Sequence, residues 1–418
     1  MKKIVVVLIL IALVSAVYAG GSTEAKKLGK QTVVFWNGYT GPDRPVLEDL
    51  VAQYNAQSDD IEIKMEIMPW DTLFQKLMPA MIAGNAPDLI AMSVGRYAEY
   101  AEAGKLASLD GFIQNSKVLN VKDLVPGMIE AGNFQGSQYA MPMAFAAMVM
   151  YYNKAMFREA GLDPENPPAT LAQLQDAWTK LIKKDSSGNV VQYAQAIAVK
   201  STVPMVPVFM WMYGADYIAG GKSVINSAEA VQAMSMLGDA FQAGVSPVGL
   251  TGQEADNLFA AGKAAIEFNG PWAINGFRGA GIDLGIAEVP AGMAGRRTWG
   301  GDTILTITKD SKVKDAAWDF IEYWNSPATQ RTWALNVGFP PTRTDMSGDV
   351  ELTTGNPDIV YFLNSAPYSV LFMADEPKAG RIDEEVLVPL YESVTRKTLD
   401  AATALKQADA ALSALLNE

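Results

Sequence analysis

Aromatic side chains recur in this sequence next to glycines, and one stretch, Phe268–Asp302, contains two of them. Trp272 follows Gly270-Pro271, and Trp299 precedes Gly300-Gly301-Asp302. A large ring beside glycines can lie open at the end of a helix or strand, where a ligand can approach closely. These residue types suit the holding of a flat, polar molecule rather than the cleavage of a bond.

The composition excludes several kinds of chemistry. The 418-residue chain contains no cysteine and no histidine, which removes disulfides, thiolate chemistry and the commonest general base and metal ligand. A net charge of -13 disfavours nucleic acids and anionic membranes as partners. The segment Gly220–Ser223 resembles the end of a phosphate-binding loop, but Asp216 stands where that loop requires a glycine. We therefore expect no catalytic residue, no cofactor and no metal site.

The N-terminus has the pattern of a secretory signal. Lys2 and Lys3 precede the apolar run Ile4–Val14, and Val17-Tyr18-Ala19 offers a cleavage site after Ala19. The run is shorter than the ~20 residues of a membrane-spanning helix. We expect a signal peptide over residues 1–19, a flexible lead over 20–30 and a periplasmic mature protein. A lipid anchor would require a cysteine at the cleavage site.

Alternating strand and helix patterns predict a parallel sheet in the first part of the chain. Strand patterns over Thr32–Trp36, Ile61–Ile67 and Pro87–Met92 are separated by segments of helical periodicity. This order implies right-handed crossovers, and ligands of such sheets bind beyond the carboxyl ends of the strands. Those ends carry Trp36-Asn37-Gly38-Tyr39, Pro69-Trp70-Asp71 and Ser93-Val94-Gly95.

A series of motifs, in the same order along the chain, resembles the family 1 extracellular solute-binding proteins. These are the sugar-type receptors of ABC importers, similar to maltose- and trehalose-binding proteins. The motifs are Asn85–Ile90 (NAPDLI), Gln138–Pro142 (QYAMP), Tyr151–Asp163 (YYNKAMFREAGLD), Phe259–Ile266 (FAAGKAAI) with Gly270-Pro271-Trp272, Ala317–Ile321 (AWDFI) and Gly338–Arg343 (GFPPTR). Each motif alone is weak, but the ordered series spans nearly the whole chain after the signal segment.

The resemblance implies an α/β, two-lobed periplasmic-binding-protein fold of type II, with a mostly parallel sheet flanked by helices in each lobe and a cleft between the lobes. We expect residues 31–143 and 301–343 to form lobe 1, and residues 144–300 and 344–418, including the C-terminal helices, to form lobe 2. Trp299 and the two glycines after it would then lie where the chain crosses back to lobe 1. Paired glycines suit such a hinge.

The predicted ligand-binding residues follow from the chemistry of sugars. Aromatic faces can cover the C–H surfaces of a sugar, while carboxylates, amides and Arg bind its hydroxyls. The aromatic candidates are Trp36, Tyr39, Trp70, Trp272 and Trp299; the polar candidates are Asn37, Asp71, Ser93, Asp302 and Arg343; Gly300 and Gly301 complete the hinge side. Trp211 could line the cleft or only pack, and Asp71 could instead cap its helix.

The expected function is capture of a mono- or oligosaccharide by hinge closure and its delivery to the membrane subunits of an ABC permease, by a monomer that makes no covalent change. A ligand of the glycerol phosphate type is an alternative within the family, and it would need Arg343, Arg381 or Arg44 in the cleft. A secreted carboxylate-based carbohydrate-active enzyme is an alternative of another class. It would need two carboxylates across one sugar bond, and the sequence singles out no such pair.

Overall fold

The computed structural model describes residues 29–200, 204–346 and 348–418. The predicted signal peptide and all but the last two residues of the predicted lead lie outside these ranges. Among the described helices, none combines the length and the apolar character that a membrane span requires.

The strands alternate with helices through much of the chain, as the sequence patterns predict. The strands of three or more residues are, in chain order, β1 (Gln31–Asn37), β2 (Ile61–Ile67), β3 (Leu89–Ser93), β4 (Ala140–Ala147), β5 (Val149–Asn153), β6 (Val190–Ala196), β7 (Ala264–Asn269), β8 (Leu284–Ala287), β9 (Thr298–Ile307) and β10 (Ser369–Leu371).

The helices fall into an N-terminal group that flanks the first strands, a middle group and a C-terminal group. They are α1 (Arg44–Gln57), α2 (Trp70–Ala83), α3 (Ala98–Glu102), α4 (Asp110–Asn115), α5 (Pro126–Glu130), α6 (Lys154–Glu159), α7 (Leu171–Leu181), α8 (Met205–Tyr213), α9 (Ala228–Ala243), α10 (Gly252–Ala260), α11 (Ala273–Gly279), α12 (Lys314–Trp324), α13 (Pro327–Val337), α14 (Val350–Gly355), α15 (Ile359–Ser365), α16 (Ala379–Ile382), α17 (Val388–Thr395) and α18 (Ala401–Leu416).

The first sheet has the order β10-β9-β3-β1-β2, and β4 also pairs with β9. β1 runs parallel to β2 and β3, so the expected parallel core of the first sheet is confirmed. Val33 and Phe35 of β1 are fully buried, as the continuous β-branched and aromatic run Thr32–Trp36 predicts. The ends of β1, β2 and β3 therefore meet at one edge of this sheet, where the candidate site lies.

The second sheet is mixed rather than mostly parallel. Its order is β8-β5-β7-β6, with the short segment Lys183–Lys184 beyond β6. β7 runs parallel to β6 but antiparallel to β5, and β5 runs antiparallel to β8. In this detail the expectation of a mostly parallel second sheet is wrong. The reason is β5, which enters from the first sheet and runs antiparallel to both of its neighbours, β7 and β8.

The chain leaves the first sheet and returns to it on adjacent strands. β4 leads out, β9 leads back, and the two are antiparallel neighbours, with Ala147 opposite Gly300. Met148, between β4 and β5, donates its N–H to the Trp299 carbonyl at 2.9 Å, and its own carbonyl accepts from the Thr298 hydroxyl at 2.8 Å. The two connections between the sheets therefore form one hydrogen-bonded ribbon.

The C-terminal helices pack on the middle of the chain. Gly238 of α9 lies against Val394 of α17. The hydroxyls of Tyr217 and Tyr391 are 2.9 Å apart and fully enclosed, which ties α17 to the segment after α8. This contact agrees with the packing that the family resemblance implies. The boundaries at residues 143/144, 300/301 and 343/344 stay a prediction.

Gly300 is required by the close approach of β10 to β9. The two strands run parallel, and a Cβ added to Gly300 would overlap the Ser369 side chain. Gly301, the next residue, has a φ of 133°, which residues with side chains rarely adopt. The two glycines therefore serve the packing of β9 in addition to any role as a hinge.

We expect Gly300→Ala to destabilise the protein by roughly 1–3 kcal/mol, because the added methyl group must push β10 away from β9. The measurement is urea unfolding followed by tryptophan fluorescence. Gly127→Ala in α5 is a matched control, since a Cβ there meets no atom within 4 Å. Equal unfolding midpoints for the two variants would contradict the proposed close packing.

Candidate functional site

A cleft of about 550 Å³ lies beyond the carboxyl ends of β1 and β3 and faces α10 and α11 across the gap. The segment 38–43, Trp70, Ser93 and Thr303 line it on the side of the first sheet, while Met205, α10, Asn269 and Trp272 line it on the other. Elements that build different sheets thus contribute to one cavity. A molecule bound here would contact both, which is the arrangement that hinge closure requires.

Two tryptophans form opposing parts of the cleft, and each lies directly on a glycine. A Cβ added to Gly38 would overlap the Trp70 ring, and one added to Gly270 would overlap the Trp272 ring. Glycine is therefore required at both positions, because any side chain would displace the ring. This is the setting of small residues that the sequence predicts around Trp272, and it recurs around Trp70.

Further aromatic contacts hold these rings in place. Trp70 meets Tyr39 edge-on, with ring centroids 5.6 Å apart, and stacks on Phe74 at 6.1 Å. Trp272 meets Trp299 edge-on at 6.3 Å and contacts Phe339 at 5.9 Å. Because the neighbours fix the ring planes before any ligand arrives, little side-chain entropy is lost on binding.

The polar groups of the cleft are two carboxyl groups, which accept hydrogen bonds when ionised, and several amides and hydroxyls, which both donate and accept. The carboxyl groups of Asp43 and Asp256 line the cleft, together with the amides of Gln253, Asn257 and Asn269. None of the described lining residues is Lys or Arg. Among the described residues there is also no cluster of acidic side chains that could hold a metal ion. The cavity suits a ligand that is rich in hydrogen-bond donors and does not suit an anion.

Burial changes the acidity of these carboxyl groups. Desolvation raises the pKa of Asp43 to about 6, and one carboxylate oxygen of Asp43 has no hydrogen-bond partner among the described atoms. Burial also raises the pKa of Asp256, although Asn269 donates to its Oδ1 at 2.8 Å and opposes the shift. A ligand hydroxyl that donated to either group would compensate for this lost solvation.

The structure brings together some of the residues that the sequence singles out. Those that line the cleft are Tyr39, Trp70, Ser93, Trp272 and Trp299. Trp299 is only 7% exposed and Trp272 is half-buried, so Trp272 offers the larger free face. Their contributions to binding stay a prediction.

Other predicted residues lie outside the cleft lining. Trp36 is half-buried within β1. Asn37 is fully buried, and its Oδ1 accepts from the Tyr39 N–H at 3.3 Å, so it shapes the loop rather than the cavity. Asp71 is exposed in the first turn of α2, where its charge favours the helix N-terminus. Gly300 and Asp302 lie within β9.

Trp211 and Arg343 occupy the interior. Trp211 of α8 is fully buried and meets Phe372 edge-on at 5.6 Å. Of the two roles considered for Trp211, lining the cleft or packing, this contact corresponds to packing. Arg343 is buried and donates to the Asn325 carbonyl and to Asp345, both at 2.8 Å. Arg381 pairs with Glu385 and Glu418, and Arg44 pairs with Glu48, on the surface. None of the three candidate arginines therefore lines the cleft.

Several cleft residues were missed by the sequence reasoning. The wall from α10 contributes Gln253, Asp256 and Asn257, and the end of β7 contributes Asn269. A local signal for α10 existed, because Thr251 and Glu254 form a capping box that marks where the helix begins. Nothing in the sequence indicates which face of that helix turns towards β1.

A second cavity, of about 480 Å³, lies at the edge of the second sheet beside β8. None of the predicted site residues lines it. Its charged residues are paired with one another: Lys154 with Glu165, Arg278 with Asp358 and Arg296 with Glu288. The larger, aromatic cleft is therefore the candidate site.

We expect Asp43→Asn to become progressively more stable than the wild type as the pH rises from about 4 to about 6. An Asp whose pKa is raised in the folded state stabilises the protein below its unfolded pKa of about 3.9 and loses that contribution as it ionises. Asn has no such titration, so the difference should grow by roughly 3 kcal/mol at most over this window and then stay constant.

Urea unfolding at half-unit pH intervals measures this difference. The exposed Asp71→Asn serves as a surface control in the same buffers. A difference between Asp43→Asn and the wild type that does not vary with pH would show that Asp43 is not held in a desolvated site.

Comparison with known proteins agrees with this geometry. A protein similar to this chain is the maltotriose-binding protein of Pyrococcus abyssi, which is 26% identical over 368 residues that cover 86% of this chain and 77% of the relative. A solute-binding protein of an ABC transporter from Thermotoga lettingae, solved with alpha-D-tagatose, superposes with a TM-score of 0.83 at 23% identity over 93% of this chain and 100% of that one. A protein from Mycobacterium tuberculosis, solved with glycerophosphocholine, reaches a TM-score of 0.81 at 20% identity over 93% of this chain and 99% of that one.

The solved structures confirm the fold class. The chain has the two-lobed α/β fold of the type II periplasmic binding proteins, as the ordered motifs predict. The model of one family, described as bacterial extracellular solute-binding protein, matches residues 39–331, which include both sides of the cleft. The chain is therefore a member of the bacterial extracellular solute-binding protein family.

Proposed function

We propose that this protein captures a mono- or oligosaccharide in the cleft and delivers it to the membrane subunits of an ABC importer. The observation that carries the proposal is the pairing of glycine-seated tryptophans on opposite sides of the cleft with carboxylate and amide groups between them. Aromatic rings cover the C–H faces of a sugar and acceptors bind its hydroxyls. The maltotriose-binding relative supports this class of ligand.

Closure follows from the positions of the two tryptophans. Trp70 lies at the start of α2, beside the first sheet, and Trp272 directly precedes α11, beside the second. A sugar that touched both rings would stabilise the closed arrangement more than the open one, and it would shift the population towards the closed state. The ribbon of β4 and β9 is the hydrogen-bonded connection about which the lobes would move.

A glycerol phosphate ligand is the less supported alternative within the family. The Mycobacterium tuberculosis structure was solved with glycerophosphocholine, and it resembles this chain in fold alone. A phosphate diester needs a cationic or N–H-rich site. In this protein Arg44, Arg343 and Arg381 are engaged in ion pairs elsewhere, and the described cleft lining contains neither Lys nor Arg.

A carbohydrate-active enzyme is the alternative of another class. Asp43 and Asp256 could supply the two carboxyl groups that such an enzyme requires. We propose instead that the protein leaves its ligand unchanged, which agrees with its membership of a solute-binding family. Incubation with maltotriose, followed by chromatography of the products, distinguishes the two, since any protein-dependent cleavage contradicts a purely binding role.

The proposed setting is the periplasm, where a monomer would move between its ligand and the permease. The N-terminal charge and apolar pattern supports cleavage near Ala19. The proposed lobes comprise residues 31–143 with 301–343 and residues 144–300 with 344–418. No nucleic acid or cofactor takes part in the proposed cycle.

A thermal-shift screen against neutral mono- and oligosaccharides, polyols and glycerol phosphates tests the proposal. A ligand that binds only the folded state raises the melting temperature, and a concentration of 100 times Kd contributes about 2.7 kcal/mol. We expect a shift with at least one neutral saccharide and none with glycerol 3-phosphate or glycerophosphocholine. A shift with the phosphates alone would replace the sugar proposal with the alternative.

Trp272→Ala tests the aromatic wall directly. We expect it to reduce the affinity for the saccharide found in the screen by roughly 1–3 kcal/mol, because an aromatic anchor at the centre of an interface is lost. The melting temperature of the ligand-free protein should change little, since Trp272 is only half-buried. Isothermal titration calorimetry gives the affinity.

Trp211→Ala is the matched control, because this tryptophan is fully buried away from the cleft. It should destabilise the ligand-free protein by about 3–5 kcal/mol through the cavity it leaves. The reverse pattern, with Trp272→Ala unstable but binding normally, would assign Trp272 to the core.

A further inference from the structure

Glu267 is a fully buried acidic residue directly behind the wall of the cleft. It lies in β7, two residues before Asn269, so the two side chains share one face of the strand. The side chain of Glu267 is 0% exposed. An ionised carboxylate is almost never enclosed in this way unless a cation or several donors compensate for the loss of water.

The contacts of Glu267 provide only partial compensation. The Asn269 amide donates one N–H to Glu267 Oε1 at 3.0 Å and another to Asp256 Oδ1 at 2.8 Å. The Asn269 Oδ1 accepts from the Gly270 N–H at 2.8 Å, so this amide is fully used. Glu267 Oε2 has no donor among the described atoms. Asn269 thus bridges two carboxyl groups and leaves one oxygen of the buried group unsatisfied.

The neighbouring charged groups do not supply the missing donor. Asp256 of α10 adds a second acidic group, and its Oδ1 and the Glu267 Oε1 both accept from the Asn269 amide nitrogen, so the two carboxyls lie side by side. Tyr151 of β5 lies opposite Glu267, but its hydroxyl donates to the Gly270 carbonyl at 2.7 Å. Arg278 of α11, which faces Tyr151, is paired with Asp358. Among the described residues, the source of compensation that remains is a proton within the pair of carboxyls itself.

That proton belongs on Glu267. A hydrogen bond between two carboxyl groups requires that one of them is protonated. Asp256 lines the cleft and can be solvated there, whereas Glu267 cannot. Desolvation and the nearby Asp256 charge together raise the pKa of Glu267 well above its ordinary value. The exposed member of the pair keeps the charge and the enclosed member keeps the proton.

We propose that Glu267 is a positioning residue that stays a neutral carboxylic acid, donates its O–H to Asp256 and, with Asn269, holds the Asp256 carboxylate as an acceptor on the cleft wall. Held in this way, the Asp256 carboxylate can only accept hydrogen bonds. It therefore selects a ligand that presents a hydroxyl group to it. The protonation of Glu267 stands on the contacts alone, while the meeting of Asp256 with a sugar hydroxyl rests on the proposed function.

The protonation is tested without any ligand. Infrared difference spectra of the wild type against Glu267→Gln, recorded at pH 7, should contain a carboxylic acid C=O band that belongs to the wild type. The amide of Gln keeps the size of the side chain and a donor, so the fold should be retained. A difference spectrum with only a carboxylate band would show that Glu267 is ionised and would overturn the proposal.

The stability of the same two proteins gives a second measurement. A carboxyl group whose pKa is raised on folding stabilises the protein below its unfolded pKa, about 4.3 for Glu, and loses that contribution as the pH rises towards the folded value. The folding equilibrium of Glu267→Gln should therefore improve over that of the wild type by up to tenfold per pH unit between pH 5 and pH 7. A constant ratio over this range would contradict a raised pKa.

Affinity measurements distinguish a positioning role of Glu267 from a role in packing alone. With maltotriose as the probe, Glu267→Gln should bind within about threefold of the wild type, whereas Glu267→Met, of similar size but without a donor, should lose roughly tenfold, the effect of one lost hydrogen bond. Equal affinity of the Met variant and the wild type would overturn the role. A wild type that does not bind maltotriose would rule out this sugar as the ligand. The infrared band would still show whether Glu267 is protonated.

Discussion

The antiparallel pairing of β4 with β9 is the constraint on which the rest of this structure depends. The chain leaves the first sheet on β4 and returns on β9. Where it passes between the two sheets, the backbone of Met148 hydrogen-bonds to Thr298 and Trp299. Because a hydrogen-bonded ribbon resists extension but tolerates bending, it keeps the two lobes at a fixed separation. The cleft exists because the strand ends and helices of both lobes face each other across this ribbon.

Close contact between rings and glycines builds the walls of that cleft. Trp70 lies on Gly38, and Trp272 lies on Gly270, so neither ring has a side chain beneath it. Each ring can therefore lie close against the backbone at the cleft. Edge-on contacts with Tyr39 and Trp299 then fix the ring planes. The same logic applies at Gly300, where the absence of a side chain allows β10 to approach.

Electrostatics defines the cleft as firmly as shape does. The acidic side chains Asp43 and Asp256 are partly or largely removed from water, while Arg44 and Arg343 are held in ion pairs elsewhere. A lining with two carboxyl groups and without Lys or Arg favours neutral, hydroxyl-bearing ligands and repels anions. Asn269 donates to Asp256 and also to the enclosed Glu267, so that the orientation of Asp256 is supported from inside the protein.

Much of this protein is determined by local features of its sequence. Short apolar runs determined β1 and β3, the alternation of apolar and polar residues determined β2, and the ordered motifs determined the two-lobed fold and the family. The placement of Trp70, Trp272 and Trp299 beside glycines or at strand ends identified the aromatic part of the cleft. These signals are local, because strand alternation, glycine neighbours and motif spacing are properties of short segments.

Only the tertiary structure decided which distant side chains meet. It turned one face of α10 towards β1, enclosed Trp211, paired Arg343 with Asp345 and placed Glu267 behind Asp256. It also made the second sheet mixed, since β5 runs antiparallel to both of its neighbours, β7 and β8. A single sequence carries no record of such contacts, since the pairing of residues far apart in the chain depends on the packing of whole elements and not on the neighbours of each residue.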